Sequence, residues 1–80
     1  MAQGDEVVRA LLTAVATLED LVAVGPDAAL ALSTLEGVAD ELGRMDSAAR
    51  RRFVDGLERI AAEEPDRAGW IRGLPEALGL

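Results

Sequence analysis

Carboxylates are the only abundant acid–base groups here: fifteen Asp and Glu stand against eight Arg, with no Lys, His, Cys or Tyr. Without those four residue types there is no thiol nucleophile, no Cys/His zinc site and no Ser-His-Asp arrangement. The acids cluster as Asp5-Glu6, Glu19-Asp20, Asp40-Glu41 and Glu63-Glu64. Glycosidic chemistry needs two carboxyls facing each other across a bond, and adjacent residues on one helix point apart. These pairs therefore read as solvated surface. Glu36 and Asp40, at i and i+4, could bridge a divalent ion, but no Gly-centred oxygen-ligand loop accompanies them. No catalytic residue, metal or cofactor is expected, and the chain is not expected to be an enzyme.

The basic run Arg50-Arg51-Arg52 is more informative. Residues 1–43 hold eight acids and one Arg, a net −7, whereas residues 44–80 hold seven acids and seven Arg, a net zero. The run falls near the start of a helix, where the dipole disfavours cations. Three sources of compensation are open. One is an i, i+4 ladder along the same helix, Arg51–Asp55, Asp55–Arg59 and Arg59–Glu63, each pair contributing ~0.2–0.5 kcal/mol. Another is the acidic first half, especially Asp40 and Glu41. The third is an acidic partner. Nucleic acid is not expected, because phosphate binding needs an excess of cations and the formal charge is −7.

An apolar surplus marks the second helical segment. Leu30 projects away from the inner stripe, and its helical neighbours Ser33, Thr34 and Gly37 are small, which makes a flat seat for another helix. Leu12 and Ala16 are expected at the edge of the first helix's stripe. Leu30, Thr34, Gly37, Arg50, Arg51 and Arg52 are thus the candidate interaction surface.

Asp46-Ser47 is a good helix N-cap. The stretch Glu41-Leu42-Gly43-Arg44-Met45-Asp46-Ser47 also resembles the acyl and peptidyl carrier proteins, whose phosphopantetheine arm sits on the Ser of a Gly-x-Asp-Ser-Leu sequence opening a helix. The resemblance implies a modified Ser47. The chain departs from that pattern by one extra residue between Gly43 and Asp46, by Ala48 in place of Leu, and by three Arg in the helix that follows.

Helices must position all of these residues. Val8, Leu11, Val15, Leu18 and Val22 recur at +3/+4 spacing, as do Ala28, Leu32, Leu35, Ala39 and Leu42, and then Ala49, Phe53, Leu57 and Ile60. Bounded by Gly25-Pro26, Gly43 to Asp46 and Pro65-Asp66, these stripes predict helices near 5–24, 27–43 and 46–64. A short helix near 66–73, anchored by Trp70, Ile71 and Leu74, is expected before the Gly73 to Pro75 break, with a separate further turn open to Pro75 to Leu78. Phe53, Leu57, Leu35 and Leu18 are expected at the centre, and Gly56 is expected where a neighbouring backbone comes close. The expected fold is all-α, a three-helix bundle with a short helical C-terminal cap, forming a single domain over residues 1–80.

Half the residues are apolar and 29% are charged, which is globular composition. Ala supplies many of the apolar positions, and Phe53 and Trp70 are the only aromatics. A core this thin in eighty residues is marginal without a second chain. The longest uncharged stretch, Ala10 to Leu18, is too short to span a bilayer. The acidic start, Met1 to Glu6, lacks the positive region of a secretory leader. A cytoplasmic protein of a bacterium with GC-rich codons is expected. The remaining function class is a small acidic protein–protein interaction module: an adaptor, regulator or inhibitor whose partner is another protein, a second copy of the chain included, with neither nucleic acid nor membrane as partner.

Overall fold

In the computed structural model, residues 5–80 are described; the part of the leader reading that rests on residues 1–4 lies outside them. The apolar spacing resolves into α1 (Asp5–Ala23), α2 (Ala28–Leu42), α3 (Ser47–Glu63) and α4 (Ala68–Ala77), with a 3-10 turn at Pro65–Arg67. The protein is all-α, with no strand among the described residues.

Local chemistry explains where the first three helices stop and start. After α1, Gly25 takes a φ of +104°, a left-handed conformation that side chains disfavour, and Pro26 follows. At the start of α3, Asp46 is extended, and its Oδ1 accepts the Ala49 N–H at 2.8 Å. That bond satisfies a backbone donor that the first turn leaves open.

The C-terminal segment differs from expectation. The 3-10 turn opens on Pro65, and α4 runs on through Gly73 and Pro75 instead of ending there. A proline inside a helix removes one backbone bond and costs ~3 kcal/mol. Continuing past it keeps half-buried Leu78 on the same face as Ile71 and Leu74, which are both buried against the core. The helix closes instead at Gly79, whose φ is +75°. There the Gly79 N–H donates to the Glu76 carbonyl at 3.0 Å and the Leu80 N–H to the Pro75 carbonyl at 2.9 Å, a Schellman closure.

The helices pack in the order α2, α1, α3, α4: α1 lies against α2 and α3, and α3 also lies against α4. The core forms where α1, α3 and α4 meet. It comprises Val8, Leu12 and Val15, then Phe53, Leu57, Ile60 and Ala61, then Ile71 and Leu74. From α2 only Ala31 is buried. This arrangement corrects the expected faces. Leu12, placed by its spacing at the stripe edge, has no solvent exposure at all. Leu18 and Leu35, expected at the centre, are half-buried, and Leu32 is 49% exposed. The reason is that α1 turns its Leu12 side to α3, while α2 covers its other flank from one direction only.

Gly56 sits where α3 meets α1. A Cβ there would lie 3.4 Å from Val8 Cγ2 and 3.6 Å from Asp5 Oδ1, so it is the side chains of α1 that come close. Trp70 is half-buried. Its indole N–H donates to Glu19 Oε1 at 2.7 Å, tying α4 to α1, and the Arg67 guanidinium lies 5.4 Å from the ring centroid.

Truncating Leu12 to Ala is therefore expected to cost ~2–5 kcal/mol, and truncating Leu18 clearly less. Urea unfolding of both variants checks this. Equal losses would mean that the α1 face is assigned wrongly.

Candidate interaction surface

Arginines join this fold across helices. Arg59 on α3 grips Asp5 on α1 with both ends of its fork, Nη2 to Oδ1 at 2.8 Å and Nε to Oδ2 at 3.1 Å. Asp5 is only 9% exposed. Arg9 on α1 pairs with Glu63 on α3. Arg72 on α4 pairs with Glu58 on α3 at 2.7 Å. Arg67 pairs with Glu64 at 2.9 Å and Arg44 with Glu41 at 3.0 Å, both at i, i+3.

The expected i, i+4 ladder along α3 does not form. Arg59 and Glu63 turn instead to Asp5 and Arg9 of α1, so neither is left for a neighbour on α3. Glu41 is taken by Arg44. Arg50, Arg51 and Arg52 are exposed, and none has a carboxylate within 4.0 Å among the described residues. Five of eight arginines are thus engaged, and the three that are not stand side by side. Helical spacing sets Arg50 and Arg51 on either side of Val54, which is 41% exposed, and turns Arg52 toward the Arg59 side.

The outer strip of α2 is open, as its sequence suggests. Leu30 is 68% exposed, and the Thr34 hydroxyl donates to the Leu30 carbonyl at 2.8 Å. Among the described residues nothing comes within 4 Å of where a Cβ on Gly37 would lie, so none of their packing requires a glycine there.

A cleft on the opposite flank of α2 was not foreseen from sequence. Leu32, Leu35, Glu36 and Ala39 of α2, Glu19 of α1, and Ala77 with Leu78 line a space of about 210 Å³. Its walls are mostly apolar, and two carboxylates stand among them. The signal was present: the α2 stripe is wider than one neighbouring helix covers, and Leu32 lies on its uncovered side.

Ser47 is the first residue of α3 and is exposed. Glu36 and Asp40 are exposed, and among the described residues no three Asp, Glu, His or Cys side chains gather as metal ligands do. No helix among the described residues is long and apolar enough to cross a membrane.

No protein-family model matches the chain, and neither a curated protein nor a solved structure is significantly similar to it.

The Arg59 guanidinium, through its hydrogen bonds, holds the Asp5 carboxyl below the usual carboxylate range against the opposing pull of burial. A carboxyl with a lowered folded-state pKa stabilises the fold above its ordinary value of about 4, and that contribution is lost as pH falls through the lowered value. Arg59→Gln should therefore lower the melting temperature at pH 7, with the gap to the parent closing in acid. Arg51→Gln, which breaks no ion pair, should leave the melting temperature unchanged at every pH. Thermal melts from pH 7 to pH 2 check both, and a loss for Arg51→Gln matching that for Arg59→Gln would restore the ladder.

Proposed function

We propose that the chain is a non-catalytic protein–protein interaction module, an adaptor, regulator or inhibitor of a partner protein. The observation that carries this reading is the partial burial of α2. This helix packs mainly on α1, buries Ala31 alone, and leaves Leu30 and Leu32 well exposed. Apolar residues on both uncovered flanks of one helix form a surface that a partner would bury at ~25 cal/mol per Å². The unpaired Arg50, Arg51 and Arg52 support the same reading from α3, since free cations beside exposed Val54 suit recognition better than folding. With carboxylates as the sole acid–base groups, catalysis has little to draw on.

A photoreactive residue placed at position 30 or 51, in the protein expressed in its own cells, is expected to yield one discrete adduct, and the same residue at exposed position 66 none. Uniform adducts at all three positions, or none at any, would overturn the module.

The second reading is a carrier protein modified at Ser47, favoured by the exposed position of that serine at the opening of α3. Against it stand Ala48 and the three arginines of the following turn. Incubation with a phosphopantetheinyl transferase and coenzyme A is expected to leave the intact mass unchanged. A stoichiometric mass increase, abolished by Ser47→Ala, would make the chain a carrier.

A further inference from the structure

The four helices close three seams, α2 on α1, α1 on α3 and α3 on α4. A four-helix bundle has a fourth, and here it would join α2 to α4. It stays open because α4, at ten residues, reaches it only with its last turn. The cleft lined by Leu32, Leu35, Ala39, Ala77 and Leu78 is that unclosed seam, and its volume of about 210 Å³ accommodates one or two apolar side chains.

Two further features describe what fits there. Small residues recur on α4 beside the cleft wall: Gly69, Gly73 and Ala77 share one face at i, i+4, i+8, and among the described residues nothing comes within 4 Å of where a Cβ on either glycine would lie. At Gly69 and Gly73 themselves, a helix approaching along this flank meets no side chain that would hold it off. The other feature is charge. Glu19 and Glu36 stand at the cleft, Asp20 and Asp40 follow on the same two helices, and among the described residues none of the four has an arginine within 4.0 Å. The hairpin that carries them holds the whole net charge of −7.

We infer that the open α2–α4 seam receives an amphipathic helix of a partner protein, apolar on one face and rich in Lys or Arg on its flanks. Its apolar anchors enter between Leu32, Ala39 and Ala77, and its cations meet Glu36, Asp40 and Glu19. This rests on the reading of the chain as an interaction module and supplies the partner's chemistry. A second copy of this chain fits the seam less well. Its α2 brings the same carboxylates against Glu36 and Asp40, and its Arg50–Arg51 pair flanks a single apolar residue, Val54. Trp70 is a built-in reporter, because its indole N–H is bonded to Glu19 at the cleft.

The probes are three synthetic helical peptides of about eighteen residues, a length that spans ~27 Å. One has a leucine stripe with Lys on its flanks, one the same stripe with Glu, and one the Lys composition scrambled so that no stripe forms. They are titrated into the full chain, followed by Trp70 fluorescence and calorimetry, with sedimentation of the free chain run alongside. The striped Lys peptide is expected to saturate at one per chain and to change the Trp70 emission, while the other two do not. Ala39→Phe, which fills the cleft, and Glu36→Lys, on an exposed position that folding does not need, are each expected to weaken binding about tenfold, or ~1.4 kcal/mol. Leu30→Ser, on the far side of α2, is expected to bind as the parent does.

Equal binding by Ala39→Phe and Glu36→Lys would mean diffuse attraction to an acidic surface and would overturn the inference. So would equal binding of the scrambled or Glu peptide. A dimer of the free chain that Ala39→Phe dissolves would overturn it in favour of a second copy. Any of these results beside a discrete adduct at position 30 or 51 leaves the interaction module standing and removes only this occupant. Uniform or absent adducts overturn the module itself, and this occupant with it, whatever the peptides do.

Discussion

Asp5 at the start of α1 and Arg59 on α3 meet at the junction on which the remaining packing depends. Around their two hydrogen bonds, Val8 comes within van der Waals reach of the space over Gly56, and Phe53, Leu57 and Ile60 close on Leu12 and Val15. The α1–α2 hairpin and the α3–α4 hairpin are joined chiefly along this line. Asp5 is also the only buried charged residue among those described. A carboxylate in that position is tolerable because its partner is a fork that satisfies both oxygens. The Arg9–Glu63 pair reinforces the same seam.

Spending arginines across helices has an electrostatic consequence. Each one that closes a seam neutralises a carboxylate on α3 or at its borders, or at the start of α1. The carboxylates of α2 and the far half of α1 receive almost none of that compensation. Charge is therefore sorted as well as unbalanced. One side is acidic and partly apolar, and the first turns of α3 carry free cations. Sorted charge gives orientation to an encounter, steering one face of the molecule toward one kind of surface.

The thinness of the core and the openness of the surface share one cause. Ala is abundant, so α2 has little to bury on α1, and α4 is too short to lie along α2. A fourth seam left open costs an isolated chain apolar contact, and it provides a ready-made groove to anything that fills it. The interaction reading and its proposed occupant both follow from this deficit. The carrier reading draws on a different feature, one exposed serine at a helix start, and needs nothing from the cleft.

Sequence alone determined the helices, because their causes are local. The +3/+4 stripes, Asp46 as cap and the Gly25-Pro26 break each act within a turn or two, and the first three helices fall within a residue of the expected bounds. The outward position of Leu30, Thr34 and Gly37 was legible for the same reason: they lie off the apolar stripe of their own helix. That Arg50, Arg51 and Arg52 stay unpaired was not, because Asp55 stands one turn from Arg51 and an intrahelical ladder was open to them. Tertiary structure decided the rest. Which flank of a wide stripe is covered depends on where a second helix lies, so Leu12 went inside while Leu18, Leu32 and Leu35 did not. The passage of α4 through Pro75 depended on a core for Leu78 to reach. The partners of Arg59 and Glu63 depended on α1 passing beside α3, since a long charged side chain chooses among all carboxylates within its reach. The cleft could not be read from one segment, because its walls come from α1, α2 and the end of α4, and only their packing order leaves the space between them unfilled.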